Sequence, residues 1–434
     1  MQRPAKPFTP VRFRLQPPHI CMEVFLKTIY FYLRLQFFKK DVDVVFSCST
    51  IFNRGENNEN NFFKPFQDAC IKSNLSYVIF EEGDISGSFA KYIYSKDSIQ
   101  MWPIILFQMI LRKLIQFFIP KKIRSTEFIE EKVNRLSSML FIRNLRTKNI
   151  ITLIDHKAAF WRSRFPEANI LDYQHAVIYN GHYGYLQNGI PASIKTSLRI
   201  KILAQSNLVK NILIKNDQSG YYSSNNIFNV GFQNTHRQVR LKKYDSIKIL
   251  FTLQDAREGG AYDEEEVMYR KKVERFFDAN TNFLIDNNIS IVVKHHPRAD
   301  IKSQQNFLSH YPFVTKSKNE NLSQDFKENN LHMTFNSSSA CEAAFFGIPT
   351  VFLEIEDPQH DDLPELGAKD LFIDQLKYPL INYMIFDVDG FQDLLLSKKD
   401  EIINSSDNIQ KKLLDWHRLL FEEFSHDSFL ESLK

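Results

Sequence analysis

Cysteine, glycine and tryptophan are all scarce in this chain of 434 residues, and net charge is low. The four cysteines, Cys21, Cys48, Cys70 and Cys341, form no Cys-x-x-Cys pair, which excludes a zinc cluster or a redox dithiol of the usual spacing. Cys48 and Cys341 lie in apolar segments and read as buried free thiols, so a reducing, cytoplasmic compartment is expected. The 13 glycines never assemble into a Gly-rich phosphate loop before Lys-Ser or Lys-Thr, which argues against a P-loop kinase or ATPase. A net charge of +4 without a concentrated basic stripe excludes nucleic acid as the main ligand. No apolar run is long and pure enough to predict a transmembrane helix. The basic start Met1–Pro7 is not followed by a clean apolar core with a small-residue cleavage site, so no secretion signal is expected.

What is present is material for two cores. Hydrophobic residues make up 43% and charged residues 24%, with 39 Phe and 17 Tyr. Strand-like apolar runs alternate with helical patterns. Strands are predicted at 43–49, 75–80, 149–154, 169–173, 201–204 and 226–230, with helices over 62–73, 101–119 and 125–144. Periodicity then lapses over Gln233–Asp245, which reads as a linker. A second series follows, with strands at 248–253, 289–294, 331–335 and 350–353, helices over 263–287 and 339–346, and a helical tail over 407–431. Two such βα series predict an α/β protein made of two Rossmann-like domains facing a central cleft. The expected units are an N-terminal arm and helix over 1–40, one domain over 41–235, a second over 246–390, and C-terminal helices over 391–434.

Two predicted strands of the second series end abruptly in polar residues. Ile289–Lys294 runs into His295-His-Pro-Arg298, where Pro297 fixes the turn and His296 and Arg298 can meet one anion. Leu331–Phe335 runs into Asn336-Ser-Ser-Ser339, which opens a helix. Ser337, Ser338 and Ser339 suit a helix cap, and the free N–H groups of a first turn attract anions. Glu342 follows in that turn, placed to take ribose hydroxyls or to complement the helix dipole. Ligands of open α/β sheets bind just beyond the carboxyl ends of the strands, so these segments predict a nucleotide mono- or diphosphate pocket and a group-transfer enzyme.

Strand–His-Pro, strand–Ser-Ser–helix with an acidic residue, and Gly347-Ile-Pro349–strand together resemble the donor domain of GT-B fold bacterial surface-polysaccharide glycosyltransferases. Sialyltransferase-like and capsule-type transferases share three signatures, an acidic pair before Gly, a His-Pro and a Ser pair. Here these are matched by Glu81-Glu-Gly83, His296-Pro297 and Ser337-Ser-Ser339. The resemblance implies that Glu81 or Glu82 is the general base and that His296 with Ser338 or Ser339 holds the donor phosphate. It makes 246–390 the nucleotide-sugar donor domain and 41–235 the acceptor side. It implies a nucleotide-activated sugar as co-substrate, no further cofactor, and a glycan or lipid-linked glycan of capsule or lipopolysaccharide as acceptor.

The segment Asp172–Tyr185 is dense in polar side chains beyond a predicted strand and resembles a Gln-His-Gly signature of capsule and lipopolysaccharide transferases, with Ala176 in place of the Gly. His175 is a candidate base there. Gln174 and His182 would be costly to bury unpaired, and Tyr183 and Tyr185 are candidates to stack on a sugar. Asp155-His156, at the end of another strand, is a reserve candidate base. No Asp-x-Asp motif ends a strand, so no metal ligands are assigned and metal-independent transfer is expected. Two other readings stay open: an enzyme that transfers glycerophosphate from a cytidine-diphosphate alcohol, attacking phosphorus, and a non-catalytic glycan-binding or assembly protein. Helices 21–38 and 101–119 are apolar with basic edges. They either turn to the core or make peripheral contact with the inner face of the cell membrane.

Overall fold

The structure, a computed structural model, describes residues 22–53, 59–83, 94–119, 125–175, 178, 182, 184–187, 189–232, 244–253, 264–295, 311–319, 322–335, 337–353, 383–385, 388–404 and 407–434. The expected arm over 1–20, residues 233–243 of the expected linker, and Tyr183, His296, Pro297 and Arg298 lie outside the described residues.

The first sheet has seven parallel strands: β1 (Val44–Ser49), β2 (Tyr77–Glu82), β3 (Ser98–Gln100), β4 (Asn149–Leu153), β5 (Asn169–Tyr173), β6 (Lys201–Ala204) and β7 (Ile227–Asn229). Their order is β3-β2-β1-β4-β5-β6-β7. The second has six parallel strands: β8 (Lys248–Thr252), β9 (Ser290–Lys294), β10 (Val314–Lys316), β11 (Leu331–Thr334), β12 (Thr350–Leu353) and β13 (Tyr383–Ile385), ordered β10-β9-β8-β11-β12-β13. Both sheets begin at a central strand, build outward one way and then reverse. This is the doubly wound Rossmann order, and it leaves a crevice at the reversal, between β1 and β4 and between β8 and β11.

The helices are α1 (Met22–Phe37), α2 (Lys64–Lys72), α3 (Trp102–Phe118), α4 (Thr126–Phe141), α5 (Ala158–Arg164), α6 (Asn207–Asn216), α7 (Glu264–Asp286), α8 (Ser339–Phe345), α9 (Val388–Asn404), α10 (Asp407–Leu420) and α11 (His426–Ser432), with shorter turns between. Local chemistry marks their starts. Ser125 and Ser206 accept the Phe128 and Val209 N–H groups, and Pro65 and Pro103 sit in first turns, where no N–H is missed.

Both faces of the first sheet are covered, and the strands are buried almost throughout. Side chains alternate, so Val45, Ile150 and Ile170 enter one core while Phe46, Ile151 and Leu171 enter the other. Near the carboxyl edge the first of these faces turns polar. Ser47 pairs in register with Thr152, and Thr152 with Asp172, so one buried row runs serine, threonine, aspartate across three strands.

The tail departs from the single helix expected over 407–431. α10 packs Leu413 and Trp416 against Ala340 and Ala344 of the second unit. The chain then unwinds and crosses to the first. Gln205 C=O accepts from Glu422 N–H at 2.9 Å, and Phe232 N–H donates to Glu422 C=O at 2.7 Å. The Glu422 carboxylate takes the Asn207 N–H at the start of α6 at 2.7 Å, an acidic cap on a helix N-terminus. Backbone bonds to another strand replace those a continuous helix would make. Gly231, at φ 75°, permits the approach, because a Cβ there would run into the Glu423 carbonyl. α11 then packs Phe429 on Phe66 of α2, with ring centroids 5.0 Å apart.

Candidate active site

The Glu81–Glu82 pair ends β2 beside the crevice of the first sheet, and alternation sends the two carboxylates to opposite faces. Glu81 is fully buried. Its oxygens take the Ser95 N–H and the Ser95 hydroxyl, each at 2.8 Å. Burial holds this carboxyl above its ordinary value, with the hydrogen bonds pulling the other way. Glu81 therefore ties the chain before β3 to the sheet and is closed to an incoming hydroxyl. Its expected part as base is corrected here. The glycine after the pair also has a physical reason, since a Cβ on Gly83 would collide with the Tyr94 hydroxyl.

Glu82 lies on the face of the polar row. Its Oε2 is 2.8 Å from His156 Nε2 and 3.1 Å from Lys157 Nζ. Among the described residues no partner contacts Oε1. Burial pushes this carboxyl up, but the His156 hydrogen bond and the Lys157 charge outweigh it and bring it to about 2. On the far side of the ring, His156 Nδ1 lies 3.0 Å from Ser47 Oγ, which itself accepts the Trp161 indole N–H at 2.8 Å. The ionised Glu82 carboxylate can only accept, so Nε2 carries the proton towards it, and in the neutral ring Nδ1 then accepts from the Ser47 hydroxyl, which also lies 3.4 Å from the His156 carbonyl. Burial keeps the imidazole below its ordinary value, in accord with this neutral tautomer.

His156 is presented by an unusual turn. Ile154, Asp155 and Lys157 have φ values of 56°, 52° and 55°, in the left-handed region that side chains avoid, most of all a β-branched one. Such strain persists only where surroundings impose it, and it clusters at functional sites. Here the imposing group is a buried ion trio. Lys195 Nζ, 1% exposed, is 2.6 Å from both Asp155 Oδ1 and Asp172 Oδ2. The other oxygen of Asp172 takes the Asp155 N–H at 2.9 Å and the Thr152 hydroxyl at 3.1 Å. Burial and then the neighbouring Asp172 charge push the Asp155 carboxyl up to about 7, against the pull of Lys195.

The Gln174–Tyr185 segment divides between structure and site. Gln174 is buried in a two-way clamp, its Oε1 accepting from Gln205 N–H at 2.9 Å and its carbonyl from Gln205 Nε2 at 2.7 Å. Tyr185 is 2% exposed. Its hydroxyl donates to Asp172 at 3.2 Å and its ring lies under Lys195, 4.5 Å from centroid to Nζ, so it has no face left for a sugar. That expected contact is corrected. His182 accepts the Gly184 N–H at 3.2 Å and packs edgewise on Tyr185. His175, just past β5, has a buried Nδ1 with no hydrogen-bond partner among the described residues, and burial lowers the ring to about 4.

In the second sheet the described side chains that meet beside the crevice are neutral. His332, fully buried, lies 2.9 Å from both Thr252 Oγ1 and Thr350 Oγ1, and burial drops it to about 3. Ser339 Oγ is 2.9 Å from Thr252 Oγ1 and 3.3 Å from His332 Nε2. The Ser339 hydroxyl thus points into the protein, correcting its expected place on a phosphate. Ser337 accepts the Ser339 N–H at 3.2 Å, while Ser338 and Glu342 are exposed at the start of α8. His295 is buried just past β9.

No family model matches the chain, and no curated protein sequence matches it. Solved structures do. The chain is similar to S. aureus MnaA, a UDP co-structure, with 11% identity over 89% of this chain and 94% of that one, at a TM-score of 0.50. The wall teichoic acid polymerase TagF in a CDPG soak follows at 11% identity, 95% and 96% coverage and a TM-score of 0.49. A UDP-GlcNAc 2-epimerase from Methanocaldococcus jannaschii has 13% identity, 87% and 99% coverage and a TM-score of 0.47. At these identities the likeness concerns the fold, and together with the two doubly wound parallel sheets it gives the chain the GT-B fold.

Proposed function

We propose that this chain is a glycosyltransferase that moves a sugar from a nucleotide-activated donor to a hydroxyl of a growing surface glycan, of the capsule or lipopolysaccharide class. The observation that carries the reading is the Glu82–His156 couple at the crevice of the first sheet, where no described residue contacts Oε1 of Glu82. In this reading an acceptor hydroxyl hydrogen-bonds to Oε1 and its oxygen attacks the anomeric carbon. The bond from that carbon to the donor phosphate breaks, and its electron pair leaves on the nucleotide. The attacking hydroxyl becomes an oxonium, far more acidic than any carboxylic acid, so even a carboxylate near 2 takes its proton downhill. His156 and Lys157 hold that carboxylate in place and keep it ionised beforehand. His175 contributes a neutral ring nitrogen to acceptor binding. Ser337 and Ser338, with His296 and Arg298, meet the leaving phosphate, and Glu342 takes the ribose.

The test is a thermal-shift panel of UDP, CMP, CDP and GDP on the wild type and on His296→Ala. UDP comes first because the S. aureus MnaA structure of like fold is a UDP co-structure. The reading expects one nucleotide to raise the melting temperature and the variant to lose that rise. CDP alone, with glycerophosphate moved to an acceptor, would replace sugar transfer by attack at phosphorus. No shift with any nucleotide would leave a glycan-binding protein.

A further inference from the structure

Most of the large hydrophobic side chains exposed on the described surface lie on three neighbouring helices, α1, α3 and α4. On α1 the exposed positions are Leu26, Tyr30, Leu33 and Phe37, spaced as one helical face, while Val24, Phe31 and Leu35 fill the core on the other. On α3 they are Leu106, Ile110, Leu114 and Phe117, again one face, opposite the buried Ile105 and Gln108, with Phe118 exposed at the helix end. α4 adds Leu136, Met139 and Leu140. The helices touch one another. Phe25 of α1 stacks on Trp102 at 5.8 Å, Tyr32 meets Phe141 of α4 at 5.5 Å, and Phe107 of α3 meets Phe141 at 5.7 Å. Ordinary amphipathic helices show water their polar side. These bury one apolar face and expose another, so the three together present a surface far larger than scattered exposed residues explain.

The charge around that surface selects its partner. Lys27 and Arg34 share the exposed face of α1, Lys39 and Lys40 follow it, Lys113 lies on α3, and Arg143 follows α4. α3 carries no acidic residue, the exposed face of α1 carries only Glu23, with Asp97 3.4 Å from Lys27, and α4 carries Glu127, Glu130 and Glu131 in its first half, ahead of Leu136, Met139 and Leu140. The Lys40 ammonium is lowered first by burial and then by the Arg34 and Lys27 charges, so the positive groups act on one another. A second copy of this chain docked symmetrically would set Lys and Arg against Lys and Arg. No described helix is long and apolar enough to cross a membrane. An apolar face of Leu, Ile and Phe edged by Lys and Arg is the pattern of a surface that lies in the headgroup region of an anionic bilayer.

We propose that the outer face of α1, α3 and α4 docks the protein on an anionic lipid surface. The site stands close by, since α3 leaves directly from the strand beside Glu81, with Met101 N–H donating to the Glu81 carbonyl at 2.8 Å. Docked this way, the first sheet works at the bilayer, where a lipid-carried acceptor would present its hydroxyl. The docking itself does not rest on the chemistry assigned to Glu82.

The experiment is co-sedimentation of the full chain with vesicles of phosphatidylcholine alone or with about one-third phosphatidylglycerol, at low and high salt. The expected result is binding to the anionic vesicles, weakened by salt, and lowered by about tenfold or more in Phe37→Glu/Phe117→Glu. Both positions are exposed, so the variant should melt with the wild type, and that melt is measured alongside. A folded wild type that stays in the supernatant overturns the proposal. So does binding that the double variant leaves unchanged. A wild-type dimer in solution that the double variant converts to monomer, without vesicle binding, would assign the face to a second copy instead.

Discussion

At the crevice of the first sheet, Glu82, His156, Lys157, Asp155, Asp172 and Lys195 meet within hydrogen-bonding or ion-pair distance. At the crevice of the second, the described residues that meet are the neutral imidazole of His332 and the hydroxyls of Thr252, Thr350 and Ser339. The strand order is the same in both, so topology does not decide which chemistry a crevice carries. The side chains that the strands and the segments after them bring to each crevice decide it. In the first sheet a serine–threonine–aspartate row draws in Lys195 and forces a strained turn, and the turn delivers His156 to a carboxylate. In the second, the hydroxyls close on His332 and make a rigid, uncharged floor, which leaves any work on an anion to the segments beyond it.

The sharpest break in that contrast is expected from Lys195→Met. It leaves two carboxylates buried together without their cation and should cost about 3–5 kcal/mol, read from urea denaturation. His332→Phe removes only neutral hydrogen bonds, and Thr252 and Ser339 can still bond each other, so about 2 kcal/mol is expected by the same method. An equal loss in the two variants would erase the distinction between a charged and a neutral crevice.

The pH dependence of stability should slope in opposite directions at the two places. The His332 pKa falls from 6.5 unfolded to about 3 folded, so the unfolded chain binds a proton the native protein refuses, and stability is lost as pH falls through that window. The Asp155 pKa rises from 3.8 to about 7, so the native protein holds the extra proton, and stability is lost as pH rises through that window. Asp155→Asn should flatten the decline towards neutrality, and His332→Phe the decline towards acid, in melts taken across the range. The smallest effect is expected from Lys157→Ala, about 0.5–1 kcal/mol, because Glu82 keeps its bond from His156.

How legible these features were in the sequence follows their physics. Strands with a clustered apolar centre, such as Asn169–Tyr173 and Thr350–Leu353, have the bounds the pattern predicts. The edge strands Ser98-Ile-Gln100 and Val314-Thr-Lys316 were missed, since three residues with one apolar side chain carry no period. The break in the tail was invisible because it depends on carbonyls of Gln205 and on the room left by Gly231, two hundred residues away. In the site, the acidic pair before Gly83 was visible as a pattern, while which of Glu81 and Glu82 shares a face with His156 is set by the strand's register and was not. Lys195 gave no signal. A lysine among Ser, Ile and Thr reads as a surface residue, and its burial is fixed by aspartates 40 and 23 positions earlier.

Turnover of the nucleotide-sugar that the thermal-shift panel selects, measured for Glu82→Gln beside the wild type, tests the central claim most directly. The amide keeps the shape and loses the proton acceptor. The expected result is a fall in turnover of about 10²–10⁴-fold with the nucleotide-induced melting shift intact. Turnover at the wild-type level would contradict the assignment of Glu82 as the base at this crevice.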